Sequence, residues 1–177
     1  MDPEVAMEVC QLADADATRA LGRRLAGRLL ERGLGGATET APPMPAPPPL
    51  LLLQGDLGAG KTCLVQGLAE GLGIHEPITS PTFALAHHYR GAATESASLP
   101  VPTALVHLDL YRLEQPAAAA ELFAQEEEEA RALGAVLAVE WPERLRFVPE
   151  PCWRVELEIA GEGRLARLFG AGISGGS

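Results

Sequence analysis

Apolar residues recur along this chain in two spacings. Short unbroken runs mark strands covered on both faces, and repeats near 3.6 residues mark helices with one covered stripe. Leu50, Leu51, Leu52 and Leu53 form a run of the first kind and predict a strand over 50–54. Residues 135–140 (AVLAVE) predict another. Residues 84–89 and 104–109 read as two strands joined in an antiparallel hairpin, and 153–159 with 164–169 alternate as a final hairpin about Ala160-Gly161-Glu162-Gly163. A further strand is expected over 8–12.

The helical repeats fall between these runs. Asp14 or Asp16 caps a helix reaching to about residue 32, with Ala17, Leu21, Leu25 and Leu29 as its stripe and arginines opposite. Gly33, Gly35 and Gly36 stop it. Residues 62–72 carry Leu64, Val65, Leu68, Ala69 and Leu72 on one face, with Gly71 or Gly73 as terminator. Pro116 suits a first helical turn, residues 117–133 continue it with Glu126 to Glu129 exposed, and Gly134 ends it. This order predicts one three-layer α/β/α domain with a mixed sheet. Its parallel part carries the strands at 50–54 and 135–140, and the hairpins supply the antiparallel part.

Length and composition narrow this further. With 177 residues and 47% hydrophobic content the chain can fill one core. The domain is expected over 1–170, with 41–49 (APPMPAPPP) as a proline-rich polyproline II connector within it and 171–177 as a disordered tail. A stiff connector is the simpler reading of 41–49; a PxxP ligand for a partner is the alternative. No apolar run approaches the roughly 20 residues of a membrane span. Asp2 and Glu4 occupy the place of a basic signal-peptide region, so no signal peptide is expected. Cys10, Cys63 and Cys152 are scattered and odd in number, which points to reduced thiols and a cytoplasmic protein. A net charge of −10 argues against autonomous nucleic-acid binding. If the protein serves RNA chemistry, another subunit should hold the RNA.

The chemistry concentrates at Gly55-Asp56-Leu57-Gly58-Ala59-Gly60-Lys61-Thr62, between a predicted strand and a predicted helix. That is a phosphate-binding loop in its required context, and it makes this a P-loop NTPase domain. Lys61 is the one lysine among 14 basic residues. A compact ammonium can thread to the β/γ oxygens of a nucleotide, whereas a planar guanidinium fits that route poorly. The Thr62 hydroxyl is suited to Mg²⁺. A second carboxylate is needed at a strand's C-terminal end. Asp109 and Glu140 both qualify.

Four motifs occur in order: residues 55–62 (GDLGAGKT), 80–83 (SPTF), 107–112 (HLDLYR) and 140–144 (EWPER). Together they resemble the TsaE family, the bacterial ATPase subunit of tRNA threonylcarbamoyladenosine biosynthesis. The resemblance covers most of the chain from residue 51 to about 167. It implies ATP binding and slow hydrolysis in support of the TsaB–TsaD pair, which places a threonylcarbamoyl group on adenosine 37 of tRNAs reading codons beginning with A. It puts Leu57, Gly58, Ala59, Gly60, Lys61 and Thr62 on the phosphates, and Thr62 with Glu140 on Mg²⁺. Lys61, Asp109 and Glu140 become the catalytic set, Ser80 to Thr82 a switch, and tRNA an indirect partner only. Trp141 is similar to the family's tryptophan beside the metal acid; a core aromatic is the other reading. The chain departs from the pattern in a longer stretch before Leu50, a longer loop at 90–103, and an alanine- and glutamate-rich stretch where the family is more apolar.

Other classes fit less well. A small-molecule kinase is the alternative, but its lid needs several basic residues and 90–103 holds one arginine. A guanine-specific GTPase would use an Asn-Lys-x-Asp motif, and this chain has neither asparagine nor a second lysine. A phosphate loop kept as scaffold is the remaining case. Glu126 to Glu129 are either a solvated face or a docking surface for a basic partner.

Overall fold

The computed structural model describes residues 7–33, 47–91 and 104–170. The expectations placed on 41–46, on 92–103 and on the tail 171–177 lie outside the described residues. The described strands are β1 (Glu8–Leu12), β2 (Leu50–Gln54), β3 (Ala86–Arg90), β4 (Ala104–Asp109), β5 (Val136–Glu140), β6 (Trp153–Ala160) and β7 (Gly163–Phe169). They form one sheet in the order β1-β7-β6-β2-β5-β4-β3. The helices are α1 (Ala15–Gly33), α2 (Lys61–Gly71) and α3 (Pro116–Leu133). None of the described helices is long and apolar enough to cross a membrane.

β2 owes its central place to its four leucines. Leu51 and Leu53 enter the core beneath α1 and α2, while Leu50 and Leu52 enter the core beneath α3. A strand covered on both faces is the environment of a parallel sheet, and each such leucine contributes roughly 1.5–3 kcal/mol of burial. The result is three layers, α/β/α, around a mixed sheet. The hairpins are divided differently from expectation. β2 is parallel to both β5 and β6, and β4 is parallel to β5. Each hairpin therefore gives one strand to the parallel block; the antiparallel strands are β3, β7 and β1. β4 is apolar enough on both faces to lie inside that block: all six of its residues are buried.

α1 and α2 touch backbone to backbone. A Cβ built on Gly67 would overlap the carbonyl oxygen of Arg19, and one on Gly22 would overlap that of Leu64. Asp14, not Asp16, caps α1, accepting the Ala17 N–H at 2.8 Å; Asp16 pairs with Arg19 instead.

Two local expectations are corrected. β3 begins at Ala86, not Ala84, because Leu85 takes a left-handed φ of 69° and donates its N–H to Pro81. Glu126 is buried, not exposed. On α3, Ala119, Phe123, Glu126 and Ala130 are spaced to face the sheet, so Glu126 turns inward while Glu128 and Glu129 stay in solvent. Its carboxylate is compensated by His88 Nε2 at 2.6 Å.

Edge strand β1 is tied to α1 through Glu8, whose oxygens each lie 2.8 Å from an arginine, Arg24 and Arg28. The Arg28 bond is the main cause that holds the Glu8 carboxyl down from its ordinary 4.5 to about 2. A carboxyl whose pKa falls on folding stabilises the fold above its unfolded value, and that contribution fades as pH drops through the folded value. We therefore expect Glu8→Gln to melt below wild type at neutral pH. The difference should shrink as pH falls from about 4.5 and vanish near 2. Thermal melts at stepped pH check this; a difference independent of pH would deny the ion pair its role.

Candidate functional site

β2 ends in the loop that feeds α2. Gly58 and Gly60 take φ of 79° and 105°, values that only glycine adopts without strain, and Gly60 is the residue preceding the first turn of α2. These turns wrap the backbone around a point in front of the helix N-terminus, where the helix dipole favours anions. Lys61 opens α2 and is buried. Its ammonium donates to the carbonyls of Gly55 and, at 3.0 Å, Asp56, and lies 4.5 Å from the centre of the Trp141 ring. Burial pulls its pKa below the ordinary lysine range, opposed by the charges of Glu140, Glu143, Asp109 and Asp56.

The two strand-end acids arrive together because β4 and β5 are parallel and in register, with Asp109 opposite Glu140. Both are only 3% exposed. Glu140 Oε1 accepts from Thr62 Oγ1 at 3.1 Å and lies 2.8 Å from His107 Nε2. Asp109 accepts the Tyr111 N–H at 2.9 Å on one oxygen and the Thr82 hydroxyl at 3.0 Å on the other. Ser80 and Thr82 share a hydrogen bond of 2.7 Å. The 80–82 segment is thereby joined to the acid of β4.

These groups border an open cleft of about 230 Å³. Of the residues expected there, Leu57, Gly58, Gly60, Lys61, Thr62, Asp109 and Glu140 line it, together with Ser80, Thr82 and Trp141. Ala59 lies behind the loop, buried, with its N–H donated to the Asp56 carbonyl. Trp141 combines both of its alternatives. It lines the cleft and also packs against the core beneath α3. Its backbone is left-handed (φ 58°), its ring faces Lys61, and the Tyr111 ring packs on it at a tilt of 43° with centres 4.8 Å apart.

A family model described as "Threonylcarbamoyl adenosine biosynthesis protein TsaE" matches residues 12–167. The chain belongs to the TsaE family. It is 44% identical over 114 residues to the tRNA threonylcarbamoyladenosine biosynthesis protein TsaE of Nostoc sp., covering 64% of this chain and 65% of that one. It is 38% identical over 138 residues to the protein of the same name from Treponema pallidum, covering 77% and 82%. The Synechocystis relative is 50% identical over 103 residues, covering 56% of this chain and 58% of its own. The chain thus spans less than two thirds of the Nostoc and Synechocystis proteins. Among solved structures, Bacillus subtilis YdiB shares the fold with a TM-score of 0.61 at 23% identity, covering 93% of this chain and 86% of that one.

Two residues of this TsaE-family site escaped the sequence reading. His107 was quoted within a motif without a role; its one signal is a polar residue inside an apolar strand. Arg164 gave no signal, since it is an arginine in an alternating strand at the far end of the chain. It donates to the carbonyls of Ala59 (3.1 Å) and Gly58 (3.0 Å), holding the loop from behind. Hydrogen bonds from a charged donor contribute about 1.5–3 kcal/mol. Arg164→Leu should therefore speed amide hydrogen exchange across residues 57–61 about tenfold or more while leaving β5 protected. Unchanged exchange in the loop would show that Arg164 does not hold it.

Proposed function

We propose that this chain binds ATP with Mg²⁺ and hydrolyses it slowly. In doing so it supports formation of the threonylcarbamoyl group on adenosine 37 of tRNAs that read codons beginning with A. It acts in the cytoplasm beside a TsaB–TsaD pair that holds the tRNA. The observation that carries this reading is the meeting of Lys61, Thr62 and Glu140 at one cleft in a chain of this family. Relatives at 38–50% identity bear the name tRNA threonylcarbamoyladenosine biosynthesis protein.

The residues fit the groups this reading requires. A threonine hydroxyl and a glutamate carboxylate 3.1 Å apart are hard oxygen donors, the kind Mg²⁺ prefers. Mg²⁺ would supply charge neutralisation at the phosphates. Residues 57, 58 and 60–62 would hold the phosphates by backbone N–H groups, with Lys61 leaving its two carbonyls for the β/γ oxygens, while the Ala59 N–H stays on Asp56. Thr62 and Glu140 would hold the metal. Asp109, fixed by Tyr111 and Thr82, would stand beside the transferred phosphoryl group and orient the attacking water. A net charge of −10 supports an indirect role for tRNA.

Titration with a fluorescent ATP analogue and a turnover assay test this reading. Lys61→Ala should weaken binding at least about tenfold, a loss of roughly 1.4 kcal/mol or more. Thr62→Ala and Glu140→Gln should keep more binding than hydrolysis, because ordering of the metal matters most in the transition state. Wild-type affinity in Lys61→Ala would remove the phosphates from this loop. Full turnover in all three variants beside the partner pair would remove the chemistry.

A further inference from the structure

His107 is fully buried in a strand whose neighbouring residues are leucine and valine. It sits across the ladder from Ala138, a small side chain that leaves room for the imidazole beneath α2. An aliphatic residue there would be covered at no polar cost, so the imidazole needs a compensating partner. It has one. Nε2 lies 2.8 Å from Glu140 Oε1, while Nδ1 is buried with no partner among the described residues. Nε2 is therefore the nitrogen that donates to Glu140, because a proton on Nδ1 would be a buried donor with nowhere to go.

We infer that His107 is a positioning residue that presets Glu140 for the divalent cation. This rests on the reading of Thr62 and Glu140 as the cation's oxygen ligands. A glutamate side chain has considerable rotamer freedom to lose when it is fixed. Oε1 is held from two sides, by Thr62 from the phosphate loop and by His107 from the sheet. The Thr62 donor moves with α2. The His107 donor is anchored in β4, so it fixes the carboxylate relative to the sheet itself. Partners of this kind, one step behind a metal ligand, typically change metal affinity about 10–100-fold when removed.

The test compares three variants of the full chain. His107→Leu removes the donor. In His107→Gln the side-chain amide reaches the place of Nε2 and restores one. His107→Asn carries an amide too short to reach Glu140. Binding of a fluorescent ATP analogue is followed against Mg²⁺ concentration and again in EDTA, alongside thermal melts. We expect the Mg²⁺ half-saturation of His107→Leu and His107→Asn to rise about tenfold or more. Affinity in EDTA should stay within about twofold, and His107→Gln should recover most of the loss. The Gln and Asn pair decides the matter if the Leu variant does not fold. An unchanged Mg²⁺ half-saturation in His107→Asn would overturn the inference. So would equal defects in Gln and Asn, which would leave His107 a packing residue. A wild-type chain whose nucleotide affinity ignores Mg²⁺ would instead overturn the reading of Thr62 and Glu140, and this inference with it.

Discussion

A one-residue slip between β4 and β5 would turn Asp109 and Glu140 onto opposite faces of the sheet, because side chains alternate along a strand. The register of the parallel block is therefore the constraint from which the cleft follows. Leu53 is paired with Glu140, and Glu140 with Asp109, so three parallel strands end level with one another. Only then does the chain leave β2 toward Lys61 while two carboxylates emerge beside it. The observed register pairs Leu50 with Leu137 through Leu53 with Glu140, and it sends Leu51 and Leu53 to one core and Leu50 and Leu52 to the other.

Such an arrangement places charge where water is scarce, and each buried charge is answered locally. Lys61 has two carbonyls and the face of Trp141. Glu140 has Thr62 and His107; Asp109 has Thr82 and a backbone N–H. Glu126, on the other side of the sheet, has His88. Hydroxyl, imidazole and carbonyl partners dominate over ion pairs in the cleft. Burial pulls the Lys61 pKa down, and the charges of Glu140, Glu143, Asp109 and Asp56 oppose it.

Much of this was legible in the chain itself. The leucine run at 50–53, the glycine punctuation of 55–60 and the acids closing two apolar runs follow from local rules, and they locate β2, the loop, Asp109 and Glu140. What local rules do not carry is distance between remote segments. Arg164 reaches the phosphate loop from more than a hundred residues away, and nothing near it in sequence records that. Glu126 looked solvated because it heads a run of four glutamates; its helical phase, counted from Phe123, points inward. The hairpins were located while their division between parallel and antiparallel pairing was not, since a hairpin fixes only the relation of its own two strands. Leu85 falls outside β3 because it takes a positive φ, which its residue type rarely adopts and which no neighbouring residue signals.

The contact between α1 and α2 bears on how the loop communicates with the rest of the molecule. At Gly22 and Gly67 the helices meet through main-chain atoms, with no layer of side chains between them that could change rotamer and absorb a displacement. A tilt of α2, the helix that begins at Lys61, would have to take α1 with it at these two points, and α1 is in turn tied through Arg24, Arg28 and Glu8 to β1 at the edge of the sheet.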